Sequence, residues 1–194
     1  NFLQKKQPGL KSVEKSWRAW QGEMELIYAY LYLSLGQRKK ASQWLQWSFN
    51  HSLETADEQP SLIVHEESIY LRTVIELLAA EHRKAFQGLK LLLEDYSASA
   101  RLSDYYFWYG VMLYEIDKSP MDAIMAMRQV DRQGERDDDR WYLLGKVNHD
   151  QQKWNPAIFA FTNLKKLHPT SQFLQEGLYL QSEAYFEQKK YNPA

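Results

Sequence analysis

Three times in this chain a small residue precedes an alanine by twelve positions: Ala29 before Ala41, Thr73 before Ala85, Gly145 before Ala157. Ser182 and Ala194 stand at the same distance, and Gly110 precedes Ala123 by thirteen. The segments around these pairs have helical periodicity. Trp17, Trp20, Met24, Tyr28, Leu31 and Leu35 recur at spacings of three and four and predict one apolar face of a long helix. Ile69, Thr73, Leu77 and Ala80 repeat the pattern, as do Tyr106, Tyr109, Leu113 and Ile116. Small residues on successive helices let two axes approach closely, so each pair marks a helical hairpin.

The turns fall where hairpins need them. Pro8-Gly9, Gly36, Gln59-Pro60, Ser119-Pro120, Gly134 and Asn155-Pro156 punctuate the helical stretches, and no alternating strand pattern occurs. The second-helix alanines at 41, 85, 123, 157 and 194 are 44, 38, 34 and 37 residues apart. Five hairpins are expected at about 11–53, 61–97, 101–133, 137–168 and 172–194, forming a single repeat domain, with most of the last second helix missing. The chain begins at Asn1, not Met, and stops at Ala194 inside an unfinished repeat, so a fragment of a longer protein is expected.

Residues 138–171 are the most specific stretch. Trp141, Leu144, Gly145, Ala157, Phe161 and Pro169 spell W-x-x-L-G, then A-x-x-x-F, then P. This resembles the tetratricopeptide repeat, a helix–turn–helix of about 34 residues. Asn148 departs from it, since the family prefers Tyr there. Gly145 and Ala157 are expected to face each other at the crossing, with Trp141, Leu144 and Phe161 filling the space beside it. Asn155 is expected to cap the second helix, with Pro156 in its first turn and Pro169 beyond its end.

The resemblance implies an all-α fold, an α-solenoid of about five antiparallel hairpins in a right-handed superhelix whose first helices line the concave surface. Counting from the small residue of each crossing then places groove slots. Three positions before it are Leu26, Tyr70, Phe107, Tyr142 and Tyr179; one after it, Tyr30, Val74, Val111, Lys146 and Glu183; four after it, Leu33, Leu77, Tyr114, His149 and Phe186. The groove so inferred is apolar and aromatic in the first three hairpins and more polar in the last two. One variant of the family clamps a C-terminal carboxylate with Lys, Asn and Arg; the apolar first set here argues against that mode.

Composition narrows the function. Basic and acidic residues number 24 and 25, a net charge of −1, which does not suit a nucleic-acid binder. No run of about 20 apolar residues spans a membrane. Cysteine is absent, which removes disulfides, thiol catalysis and zinc–thiolate sites. His65 is followed by two glutamates but by no second histidine at metalloprotease spacing. The acidic run Glu135–Asp139 lacks the glycine and closing glutamate of a calcium loop and is expected to cap a helix start. No phosphate-cradling or nucleophile motif occurs, so no enzyme, metal or cofactor is expected. The expected function is an interaction scaffold that docks a peptide or helical segment of a partner protein in the aromatic groove. A sensing domain of a larger regulatory protein is the alternative, and self-association through the exposed terminal hairpin is a further expectation.

Overall fold

A computed structural model describes residues 7–54 and 59–188, with side-chain surroundings from residue 17 onward except at 19 and 55–62. The chain forms two compact units, residues 1–96 and 97–194. The first holds α1 (Gln7–Ser34), α2 (Arg38–Glu54), α3 (Gln59–Leu78) and α4 (His82–Asp95). The second holds α5 (Leu102–Glu115), α6 (Pro120–Met127), α7 (Asp137–Asp150), α8 (Trp154–Leu167) and α9 (Leu174–Glu187). No strand occurs among the described residues. The architecture is all-α, a helical-repeat fold of the solenoid class built from consecutive hairpins. Ser182 is exposed, and its sequence partner Ala194, with the Asn192-Pro193 turn, lies outside the described residues.

The turn inside each hairpin is built the same way. Gly36, Ala80, Lys118 and Gln152 all have positive φ, at 72°, 58°, 53° and 54°. In three of the four, the next residue donates its N–H to a carbonyl five positions back: Gln37 to Tyr32, Glu81 to Glu76, Lys153 to Asn148, each at 2.8 Å. This is the Schellman closure, which satisfies the last carbonyls of the first helix. Only Gly36 meets its left-handed conformation without a Cβ penalty.

The crossings are tighter than the sequence spacing alone suggests, and their partners differ from expectation. A Cβ on Gly145 would overlap the ring of Phe161, not Ala157, which is itself fully buried. A Cβ on Gly110 would overlap the Met127 methyl and lie 3.3 Å from the Ala123 carbonyl oxygen. Met127 and Phe161 each sit four residues after their hairpin's alanine. Hairpin α3/α4 reverses the arrangement: Thr73 occupies the first-helix slot, and Gly88 on α4 faces it with no room for a Cβ. Thr73 is buried and donates its hydroxyl to the Ile69 carbonyl at 2.9 Å.

Each unit has its own core. Leu26, Ala29, Ala41, Leu45, Leu71 and Ile75 pack together in the first. In the second, Phe107, Met127, Val130, Leu144 and Val147 form one cluster and Ala157, Phe161 and Leu164 another. Burying side chains of this size stabilises by roughly 1.5–3 kcal/mol each.

Three local expectations are corrected. On α1 the apolar stripe of Trp17, Trp20, Tyr28, Leu31 and Leu35 is exposed, while Gly22, Glu25, Leu26 and Ala29 face inward. The inward face is small and partly polar because Ser48 of α2 donates to the Gly22 carbonyl at 2.8 Å and His51 Nδ1 lies 2.7 Å from Glu25 Oε2. Asp137, Asp138 and Asp139 do stand in the first turn of α7, where negative charge suits its dipole, but no side-chain cap bond forms there. Asp137 instead accepts from Arg140 Nε at 2.8 Å and lies 2.8 Å from His168 Nε2, Asp138 accepts from Ser171, and Asp139 pairs with Arg136. Asn155 is no cap either, since α8 starts at Trp154 and the Asn155 carboxamide oxygen accepts from Gln188.

Candidate docking face

The groove residues inferred from repeat register separate into core and surface. Leu26 and Phe107 are 9% and 7% exposed and belong to the hydrophobic cores. They cannot offer a ring or chain to a partner, because the neighbouring helices of their own units already cover them. In the first unit Tyr30 is exposed and donates its hydroxyl to Glu67 at 2.8 Å, joining α1 to α3, while Tyr70 is half-buried.

In the second unit the remaining residues come together on α5, α7 and α9. Tyr114 of α5 donates its hydroxyl to Asp150 at the end of α7. Tyr142 stacks on Phe173 with ring centres 4.6 Å apart, and the Lys146 ammonium stands 5.9 Å from the Tyr142 ring centre. His149 meets the Trp154 ring edge-on at 5.3 Å, and its Nε2 lies 3.6 Å from a Glu183 oxygen. Tyr179 donates to the other Glu183 oxygen at 2.8 Å. Tyr179 and Phe186 are 63% and 61% exposed, unusual for rings of this size. With them His149, Gln152, Trp154, Glu183 and Glu187 line an open cleft of about 790 Å3. That lies within the range of ligand-binding clefts, roughly 300–1,000 Å3.

The electrostatics of this face are acidic. Burial pushes the Tyr142 hydroxyl well above its ordinary pKa of 10, helped by its hydrogen bond to Glu176 and by the negative charges of Glu176, Asp150 and Glu115. Tyr114 is raised by burial first, then by its bond to Asp150 and by Asp150 and Glu115 nearby. Both phenols therefore stay protonated and serve as donors that orient carboxylates. Carboxylates from three helices, Glu115 of α5, Asp150 of α7 and Glu176 of α9, thus act on Tyr142, the ring beside the Lys146 ammonium.

Sequence reasoning did not single out Asp150, Trp154, Glu176 or Glu187 for this face. One signal was available. An acid stands six positions before the small residue of every hairpin: Glu23, Glu67, Asp104, Asp139 and Glu176. Among these, Glu67 and Glu176 accept from the tyrosines Tyr30 and Tyr142, and Asp104 and Asp139 both pair with Arg136. The structural positions of the repeat behave as packing residues. Ala29, Ala41, Ala123 and Ala157 are fully buried, Gly110, Leu144, Gly145 and Phe161 are buried, and Trp141 is half-buried. Pro169 follows the end of α8.

No protein-family model matches this chain, and no curated protein matches it in sequence. Solved structures do match its fold. One is YrrB, described as a TPR protein with an unusual peptide-binding site, at a TM-score of 0.69 and 12% identity over 94% of this chain and 84% of that one. Another is BtubC from P. vanneervenii, at 0.68 and 12% identity over 90% of this chain and 75% of that one. The fold is TPR-like. Among the described residues no helix is long and apolar enough to cross a membrane, and no three His, Asp or Glu side chains gather where they could hold a metal ion.

Proposed function

We propose that this chain is an interaction scaffold whose second unit docks a peptide segment carrying apolar and basic side chains. The observation that carries the reading is the cavity of about 790 Å3 between α7, α8 and α9, where exposed rings stand beside carboxylates. Tyr179, Phe186 and Trp154 supply apolar area of the kind that dominates interface energetics. Glu183 and Glu187 supply the charge that selects a cationic side chain, and the aromatic rings beside them favour cations as well. A C-terminal carboxylate would meet repulsion here, consistent with the missing clamp residues. YrrB, a fold neighbour, is described as having a peptide-binding site, which supports peptide docking as the proposal for this chain.

Selection of a random dodecapeptide display library on the immobilised protein tests the reading. Peptides pairing Lys or Arg with apolar residues are expected to be enriched, and Tyr179→Ala with Phe186→Ala is expected to abolish the enrichment with helicity unchanged. Equal enrichment on the double variant would remove the assignment.

A further inference from the structure

A second cavity of the same unit, about 390 Å3, shares no residue with the docking cavity and has the opposite electrostatic character. It lies among α6, α7 and α8. Its apolar lining comes from Met121, Ile124, Leu144, Phe159 and Ala160. Four cations join them: Arg128 at the end of α6, Arg132 in the loop that follows, Arg140 of α7 and Lys153 at the start of α8. No Asp or Glu lines it. Asp137 holds Arg140 through Nε and Nη2, at 2.8 and 2.5 Å, without itself reaching the lining.

Asn148 explains why there is space. It is the third residue after the small residue of its hairpin, a register position that holds Tyr32 in the first hairpin and Leu113 in the third. Asn148 is buried and turns its amide back to the Leu144 carbonyl at 2.7 Å. A compact side chain folded against its own helix leaves unfilled the volume that a ring would take. A second irregularity sits in the same wall: the Trp141 Nε1–H is buried with no hydrogen-bond partner among the described residues. Orphaned buried donors are rare in native proteins and call for a partner.

We infer that this cavity binds a small amphipathic carboxylate, an acyl or aryl acid whose apolar body lies against Leu144, Phe159 and Ala160. Its carboxylate meets the guanidinium groups of Arg128 and Arg132, which are built to hold carboxylates with paired hydrogen bonds. The volume suits a ligand of about a dozen heavy atoms. Trp141 itself lines the cavity, so its indole senses a bound acid. The site is distinct from the docking cleft, with which it has no side chain in common.

The indole N–H resonance of Trp141, assigned by its disappearance in Trp141→Phe, reports the test directly. Titration with 4-phenylbutyrate is expected to shift this resonance saturably, while the neutral 4-phenylbutanamide and the cationic 4-phenylbutylamine leave it in place. The double variant Arg128→Gln, Arg132→Gln removes two exposed charges and keeps the fold, as far-ultraviolet circular dichroism will show. It is expected to weaken phenylbutyrate binding by about tenfold or more, as loss of charge-assisted hydrogen bonds does. The inference is overturned if phenylbutyrate leaves the Trp141 signal unmoved, if the amide binds as well as the acid, or if the double variant binds like the parent. None of these results bears on the peptide selection at Tyr179 and Phe186.

Discussion

Hairpins α3/α4 and α7/α8 solve the same packing problem with opposite residues. At the crossing, α7 contributes the glycine and α8 the large ring, Gly145 against Phe161; α3 contributes the larger Thr73 and α4 the glycine, Gly88. Eight positions before the crossing residue and eleven after the second-helix alanine, each hairpin ties its ends together. In α3/α4 the tie is His65 Nδ1 to the Tyr96 hydroxyl at 2.5 Å; in α7/α8 it is Asp137 to His168 at 2.8 Å, with Arg140 added. Register is shared and chemistry is not. In both hairpins one helix supplies a glycine at the crossing and the other the side chain that covers it, and the ends are tied; which helix supplies what is left open.

The ties offer the largest test. Asp137→Ala leaves a buried guanidinium without its acceptor and should cost about 3–5 kcal/mol. Tyr96→Phe removes a largely neutral hydrogen bond and should cost about 1 kcal/mol. Urea midpoints of the two variants measure the gap; equal losses would mean that the ionic tie is no stronger than the neutral one. At the crossings, Gly145→Ala and Gly88→Ala should each cost about 1–3 kcal/mol by overpacking. Adding Thr73→Ala should restore part of the Gly88→Ala loss, a coupling of at least about 0.5 kcal/mol, and should do nothing for Gly145→Ala.

Acidification separates the hairpins by order. Burial holds the His65 imidazole below its ordinary pKa of 6.5, with Arg72 adding to the effect and Asp95 opposing it. A depressed histidine contributes fully above the unfolded-state value and loses its contribution as pH falls below about 6.5. Burial alone would raise Asp137, but hydrogen bonds and charge from His168 and Arg140 outweigh it and hold the carboxyl below its ordinary 3.8. Its contribution is kept until pH falls below that value. Amide exchange at pH 5 should therefore show faster opening at α3/α4 than at pH 7, with the contribution of Asp137 to α7/α8 intact; loss of that contribution in the same interval would contradict the assignment. The smallest effect lies in the turns. Ala80→Gly and Gln152→Gly should each stabilise by roughly 0.5–1 kcal/mol by relieving positive φ, and Gly36→Ala should do the reverse, read by thermal midpoint.

The hairpin register was legible because close approach of two helices permits few residues, and glycine and alanine at fixed spacing are hard to disguise. The proposed docking face was only partly legible. Tyr142, His149, Tyr179 and Phe186 lie together in the second unit, but counting from the crossing could not tell that Leu26 and Phe107 are covered by neighbouring helices. Burial depends on what packs from the next element, which a single helix's periodicity does not encode. The same reason hid part of the inward face of α1, where Gly22 and Glu25 beside Ala29 lack the apolar signature that the exposed Trp17–Leu35 stripe displays. The expected caps failed for a related cause. Asp137 and Asn155 have the chemistry of capping residues, and tertiary partners thirty-odd residues away claimed them first.

The indoles of α1 and α2 give the molecule an optical asymmetry. Trp17, Trp20 and Trp47 are largely open to water, and Trp44 meets Tyr28 at a tilt, Trp47 edge-on and Tyr32 in a stack. Trp108, Trp141 and Trp154 of the second unit are half-buried. The first unit should therefore emit at longer wavelength and be readily quenched by acrylamide, and the second should emit to the blue. Each half of the chain carries its own intrinsic fluorophore, and with no native cysteine a single introduced thiol can add an acceptor at any chosen helix.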